Sequence, residues 1–435
     1  MNSNTRGLLA VSPIILFLLL YLVVSLIIGD FYKMPMSVAL IAASIWAIAI
    51  YRGKPIAERI DTFSREAGQN NMLYMVWIFI LAGAFSKVAD EIGAIDATVA
   101  LTLDILPSEM VIPGFFIAAC FISLSIGTSV GTVAALSPLT VKIAEATGDN
   151  LPLLVAAVLG GAFFGDNLSF ISDTTIAATR SQGIKLNEKF KANIVIVLPA
   201  AVITLLLYVF IGSHSGEATV TGDVNLWLVV PYLVVFVTAL MGVNVTLVLI
   251  GGIVCSGIIG CCCGSDILSV VGAMGKGIES MGSLIVVTLL AAGMLGVVKA
   301  CGGVDYLLRI LTRHIKGSRG AQAVIATITG IVNLCTANNT VAILTVGSLS
   351  RDISQRYGVS GRRTAGLLDT ASCIVQCLIP YGAQTLMATG QTELSPVDPW
   401  PYLYYPWVLI VCVIVAIVVP RPGWLKRIRL NKQTK

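Results

Sequence analysis

Charge is scarce in this 435-residue chain. Only 12% of residues are Asp, Glu, Lys or Arg, against about 25% in a soluble domain. With 56% hydrophobic residues and a mean hydropathy of +0.90, a water-soluble globular protein is excluded. The net charge of +5 then reflects Lys and Arg held on one membrane face, not a nucleic-acid partner. Histidine is nearly absent. The two present, His214 and His314, fall between apolar runs, which excludes a histidine proton relay inside a membrane. The ten cysteines, Cys261–Cys262–Cys263 among them, sit in or beside apolar runs without the polar CxxC spacing of a zinc site. They read as small packing residues, so neither a cofactor nor a resident metal is expected.

Long apolar runs are what the chain has. They recur near 8–29, 36–51, 72–86, 110–126, 151–164, 192–212, 226–241, 245–263, 284–298, 323–335 and 402–420. They are helix-length and lack the alternation of barrel strands, and helices satisfy their own backbone in lipid. The first run follows Arg6, ends in no A-x-A-like site and leads straight to a second run, so it reads as an uncleaved span. The expected fold is an all-α polytopic membrane protein. It has about 10 transmembrane helices, two helical hairpins (re-entrant or spanning) over 109–147 and 321–357, and broken helices.

Charge sets the orientation. With the N-terminus inside, 24 of the 28 Lys and Arg residues fall on the inner face. Lys33, Lys87, Lys142 and Lys276 remain outside, and the outer loops "SHSGEATVTGD" and "QTELSPVDPWP" hold none. Both termini are therefore expected in the cytoplasm, with the protein in the cytoplasmic (plasma or inner) membrane. Lys142 and Lys299 read as snorkelling side chains.

The chain also resembles itself. "LAGAFSKVADEIGAID" (81–96) lies over "LAAGMLGVVKACGGVD" (290–305), and "GTSVGTVAAL" (127–136) over "CTANNTVAIL" (335–344). "SDTTIAATRSQG" (172–183) lies over "PYGAQTLMATGQ" (380–391), all at an offset of 208 or 209 residues. The span at 71–89 runs outward and its counterpart at 281–299 inward, so the copies are inverted. Inverted repeats are a signature of secondary transporters, whose sites lie near mid-membrane at discontinuous helices. The expected organisation is N-terminal helices and loop (1–70), repeat 1 (71–212), connecting helices (213–280), inverted repeat 2 (281–420) and a basic cytoplasmic tail (421–435).

Each repeat breaks its apolar runs twice: at "GTSVGT" (127–132) and "GDNLSFISDTT" (165–175), and at "CTANNT" (335–340) and "CLIPYGAQT" (377–385). Irregular backbone at membrane depth must be buried in protein or line a cavity. The freed carbonyls, hydroxyls and amides are hard oxygen ligands suited to an alkali cation. Asp166 and Asp173 fall in the second break. A carboxylate near the bilayer centre costs at least ~2.5 kcal/mol, and such residues mark ion or proton pathways. Ionised, the acid binds a cation; protonated, it is neutral. Both also suit helix capping, Asp166 with Asn167 and Ser169, Asp173 before "TTIAATR". The Thr and Asn of "GTSVGT" and "CTANNT" suit helix packing equally. Asp369, near the inner end of its span, reads as interfacial or functional.

Other chemistries fit less well. Residues 127–131 match the G-x-S-x-G hydrolase elbow, but the flanks are apolar helix and no histidine is near. "FFGD" (163–166) is a faint match to the GxGD of intramembrane aspartyl proteases, but those need a second catalytic aspartate on another span, Asp173 is on the same one, and the inverted repeat has no role there. A channel would want ligand rings in a symmetric oligomer. The protein is read as a transporter, not an enzyme.

"GTSVGT" followed by "GDNLSFISDTT" resembles the NhaC-type Na+/H+ antiporters of the ion transporter superfamily, whose pattern runs G-T-S-x-G-T and then G-D-x-x-S-x-x-S-D-T-T. Gly127, Thr128, Ser129, Gly131 and Thr132 match the first motif. Gly165, Asp166, Ser169, Ser172, Asp173, Thr174 and Thr175 match the second. Phe170 departs, since many relatives carry proline there. In repeat 2, Ile374 and Tyr381 fall opposite the two aspartates. The resemblance implies exchange of Na+, or another alkali cation, for H+ by alternating access. Other members exchange organic acids, as malate for lactate, so a Na+- or H+-coupled carrier of organic or amino acids is the alternative. Asp166 and Asp173 are the expected coupling carboxylates. Thr128, Ser129, Thr132, Asn167, Ser169, Ser172, Thr174 and Thr175 are the expected ligands from repeat 1, and Thr336, Asn338, Asn339, Thr340 and Gln384 those from repeat 2. The expected partners are Na+, H+ and the lipid bilayer, with a small organic acid or a homodimer compatible.

Overall fold

The computed structural model describes residues 3–23, 35–170, 172–212, 225–312, 315–392 and 394–419. The tail at 421–435, the loop holding His214, and Lys33 and His314 lie outside the described residues. Among the described residues all regular structure is helical.

Among the described residues the chain runs through two sets of ten α-helices. The first comprises α1 (Ser3–Leu18), α2 (Met36–Ile50), α3 (Ile56–Ala67), α4 (Asn70–Glu91) and α5 (Ala94–Ile105). It continues with α6 (Val111–Ile126), α7 (Ser129–Thr147), α8 (Leu151–Leu168), α9 (Asp173–Gln182) and α10 (Leu186–Gly212). The second set comprises α11 (Val230–Leu240), α12 (Val245–Cys262), α13 (Ile267–Ser280), α14 (Gly282–Ala300) and α15 (Gly303–Thr312). It ends with α16 (Gly317–Thr336), α17 (Asn339–Arg356), α18 (Gly361–Leu378), α19 (Ala383–Gly390) and α20 (Tyr404–Val418). This is a multi-pass membrane protein. Five stretches, at 72–91, 151–182, 186–211, 245–262 and 267–300, are long and apolar enough to cross a bilayer. The outward faces are greasy: Val195, Leu198, Val202, Leu206 and Phe210 stand exposed along α10, and Leu247, Val254 and Ile258 along α12. Polar residues go inside, the arrangement lipid demands.

The two sets pack reciprocally. α3 lies on α14 as α13 lies on α4; α2 lies on α14 as α12 lies on α4; α7 meets α19 as α17 meets α9. In each of these pairs the counterparts meet in return, the pattern of a two-fold relation. α4 and α13 cross backbone to backbone, for a Cβ added at Gly83 would lie 2.3 Å from the Gly277 carbonyl oxygen.

The repeat register differs from the sequence expectation. The end of α6, the start of α7, both ends of α8 and the start of α9 recur at an offset of 210, not 208 or 209. Backbone geometry fixes it. Gly127 (φ 75°) and Ala337 (φ 49°) both take left-handed backbone, and Thr128 and Asn338 follow, both at φ −149°. Packing agrees. In the first set Gly165 of α8 presses on Cys120 of α6; in the second their counterparts are Val375 of α18 and Gly330 of α16, which are also in contact. The small residue has changed sides and the fit is kept. Similarity between apolar stretches had set the shorter offset. At 210, Asp166 corresponds to Gln376 and Asp173 to Ala383, not to Ile374 and Tyr381.

The cysteines divide. Cys120, Cys335, Cys373 and Cys377 are buried, as small packing residues are, but Cys261, Cys262 and Cys263 are exposed at the end of α12.

Candidate functional site

Four helices begin at one cavity. Residues 127–130 lead into α7, 172–174 into α9, 338–340 into α17, and Gln384 lies in the first turn of α19; all line a cavity of about 100 Å³. Asp166 and Gln376, from late in α8 and α18, complete its wall with Tyr74, Met75 and Ile78 of α4. Helices begin here because Gly127, Thr128 and Ser172 in one set, and Ala337, Asn338 and Gly382 in the other, leave helical backbone. Only Asn338 caps with its side chain, accepting from the Val341 amide at 3.0 Å. Among the described residues, no Lys, Arg or His lines this cavity.

Asp166 is 5% exposed and does not cap a helix. Ser129 Oγ donates to its Oδ2 at 2.7 Å, and Ser172 Oγ donates to its Oδ1. Ser172, its proton given away, accepts from Thr174 at 2.8 Å. On the other side Gln384 Nε2 donates to Ser129 Oγ at 2.9 Å, and Gln376 Nε2 to Gln384 Oε1 and the Ala337 carbonyl, both at 3.1 Å. One hydrogen-bonded chain therefore links the breaks of both sets through Asp166. Gln376 was missed from sequence. Its Oε1 is buried and has no hydrogen-bond partner, and among such atoms it stands out because the residue lines this cavity.

Asp173 corrects the expectation of two dry carboxylates. It lines the cavity but is exposed, because Ser172 is the N-cap of α9 and Asp173 opens its first turn. Its charge faces the mouth, and Asp166 holds the interior.

Of the remaining expected ligands, Thr132, Ser169 and Thr336 point elsewhere. Thr132 is buried and donates to the Thr128 carbonyl at 3.0 Å. Ser169 donates to the Leu124 carbonyl at 2.9 Å, tying α8 to α6. Thr336 donates to the Asn338 carbonyl at 3.2 Å and lines a separate cavity of about 40 Å³ beside Glu66 and Lys299. Asn339 and Thr340 line the main cavity. Phe170, the departure from the motif, stacks on Phe190 of α10 with centroids 4.7 Å apart.

Asn167 and Thr175 turn away from the cavity to a second polar cluster, built on Asp369, which is buried and not interfacial, and on Lys189, which sequence reasoning missed. Lys189 of α10 and Asp369 of α18 form an ion pair, 1% and 0% exposed. Lys189 Nζ also donates to the Asn167 carbonyl and, at 2.8 Å, to Thr175 Oγ1. Thr175 in turn donates to Asp369 Oδ2 at 3.1 Å. Asn167, Asn193 and Thr370 close a ring of hydrogen bonds beside it. Cys373 donates to Asp369 Oδ1 at 3.6 Å, so this thiol is more than filler. Lys142, meanwhile, lies 3.6 Å from Asp96 and 3.8 Å from Glu145.

The model of the Na+/H+ antiporter family matches the chain twice, over residues 7–213 and 214–424. A malate-2H+/Na+-lactate antiporter of Bacillus subtilis is 21% identical, over 94% of each chain. The Na+/H+ antiporter NhaC of the same organism is 24% identical, over 83% of this chain and 85% of that one. Among solved structures, the YdaH transporter of Alcanivorax borkumensis covers 82% of this chain and 86% of its own at 14% identity and a TM-score of 0.38.

Proposed function

The chain belongs to the Na+/H+ antiporter family, and on that basis we propose a secondary active transporter exchanging Na+, or another alkali cation, for H+. The reading puts it in the cytoplasmic membrane with both termini inside, an orientation that the distribution of Lys and Arg supports. The observation that carries it is Asp166, a buried carboxylate where the two sets of breaks meet, on a cavity wall with no basic side chain among the described residues. A carboxylate offers about four lone-pair sites, and Ser129 and Ser172 occupy two. The rest are free for a cation, with Gln376 Oε1 as a neutral ligand from the opposite set. Protonated, Asp166 needs no cation and crosses neutral. The cation or the proton occupies it, never both, and that exclusion is the exchange. Asp173 at the mouth draws cations in. Repeat 1 (71–212) and repeat 2 (281–420) move against the other helices to alternate access.

A second reading has one observation in its favour. Four helix starts face the cavity, and helix N-termini attract anionic groups. With Asn338, Asn339 and Gln384 beside them, they suit a small carboxylate, in line with the malate-2H+/Na+-lactate relative.

Proteoliposomes carrying an internal pH dye separate the two. Added Na+ with no organic solute should drive proton flux, and Asp166→Asn should abolish it while expression survives. Flux that needs malate or lactate would favour the second reading. Full flux in Asp166→Asn would remove the carboxylate from the mechanism.

A further inference from the structure

The buried lysine behind Asp166 has surroundings unusual for an ion pair. Three oxygens meet its Nζ: the Asn167 carbonyl at the end of α8, the Thr175 hydroxyl in the first turn of α9, and the Asp369 carboxylate of α18. An ammonium has three protons, and each has a partner. One main-chain carbonyl, one hydroxyl and one carboxylate make a hard-oxygen cage of net charge −1. That ligand set selects alkali and alkaline-earth cations over softer metals, and its single charge matches a monovalent ion.

The cage is built to hold its shape. Asn167, Asn193 and Thr370 bond in a closed ring beside it, Cys373 donates to the far oxygen of Asp369, and Ser372 donates to the Asp369 carbonyl at 2.9 Å. It is also next door to the cavity, since Asn167 follows Asp166 and Asn339 of the cavity wall donates to Cys373 Sγ at 3.9 Å. Two carboxylates of similar depth thus lie back to back. One faces a cavity open to ions; the other is permanently answered by a cation on a four-carbon tether.

We propose that Lys189 fills an alkali-cation site as a resident, covalently held cation, and that the vacated cage would bind Na+ or K+. The proposal rests on the exchange reading in one respect: it leaves Asp166 as the one carboxylate free to take a passenger cation. It explains why the freed Asn167 carbonyl, an obvious cation ligand at a helix break, faces away from the cavity.

The test uses the purified full-length protein in detergent and reads thermal unfolding against NaCl or KCl, with choline chloride holding ionic strength constant. Lys189→Met keeps the stem and removes the ammonium. Its unfolding temperature should rise with Na+ or K+ beyond any rise in the wild type. Lys189→Met/Asp369→Asn, whose cage has lost its charge, should return to the wild-type response. Lys189→Met that folds but responds no more than the wild type overturns the proposal. So does Lys189→Met that cannot be obtained folded in any of the three salts while the double variant can. The wild-type Na+ response reports Asp166 separately, so its absence beside a gain in Lys189→Met would count against the exchange reading alone.

Discussion

A single methyl group at Gly165 should unseat Asp166. A Cβ there would lie 2.5 Å from the Leu124 amide nitrogen, 2.5 Å from Ser123 Cβ and 2.6 Å from the Cys120 carbonyl oxygen. Two of these are backbone atoms of α6, which cannot rotate aside. Ordinary contact begins at 3.4 Å, so α6 and α8 must separate by roughly 0.9 Å at this level, the overlap an overpacked core has to relieve. The Ser123–Ala162 and Ser169–Leu124 hydrogen bonds, at 2.5 and 2.9 Å, straddle the point and would be strained together. Overpacking costs about 1–3 kcal/mol, and one lost hydrogen bond about 1 kcal/mol more. Against that, alanine gains about 1 kcal/mol over glycine in a helix. Gly165→Ala should therefore be destabilised by about 1–3 kcal/mol in SDS titration, and Na+-driven proton flux should fall because Asp166 is the next residue. Gly251→Ala is the matched control. It lies within α12 with nothing within 4 Å of an added Cβ, so the variant should be unchanged or up to about 1 kcal/mol more stable. Gly165→Ala as stable and active as the wild type would refute the claim that this close approach aligns the site.

Three further outcomes follow from the site. Ser129→Ala removes a donor to Asp166 and leaves Gln384 Nε2 without its acceptor. Flux should drop at least about tenfold at a stability cost of about 1–2 kcal/mol, and wild-type flux would detach repeat 2 from Asp166. Asp173→Asn should raise the apparent KM for Na+ and leave the maximal rate within a few-fold, since Asp173 faces the mouth; an unchanged KM with a collapsed rate would make it a coupling carboxylate. Asp369→Asn leaves the Lys189 ammonium buried and unpaired, costing about 3–5 kcal/mol. Adding Lys189→Met should recover most of that loss in SDS titration, and no recovery would mean the pair is not the source.

The polar breaks were legible because glycine, serine, threonine and asparagine interrupt otherwise apolar runs, and all four breaks meet the same cavity wall. Ser129, Asp166, Ser172 and Gln384, all named from sequence, turn out to be hydrogen-bonded to one another in series. Lys189 was not found because "KLNEKFKAN" reads as a charged loop, whereas α10 already begins at Leu186. Its signal was Asn193, four residues on and on the same helix face. Asp369 carried a similar mark: Cys373 and Gln376 follow at four and seven residues, a polar stripe on α18. Gln376 was hidden by the two-residue error in repeat register. That error was invisible from composition, because apolar stretches align nearly as well at either shift, and only the left-handed turn at Gly127 and Ala337 fixes the count.

The reciprocal packing of the two sets has a geometric corollary. On the exchange proposed above, handing α6–α9 the tilt of α16–α19, and the reverse, would yield a second arrangement with the same kinds of contact and the opposite mouth. One chain folded once is therefore also a mould for its mirror-facing form. Because Asp166 corresponds to Gln376 in the second set, the mould reverses the doorway without duplicating the charge.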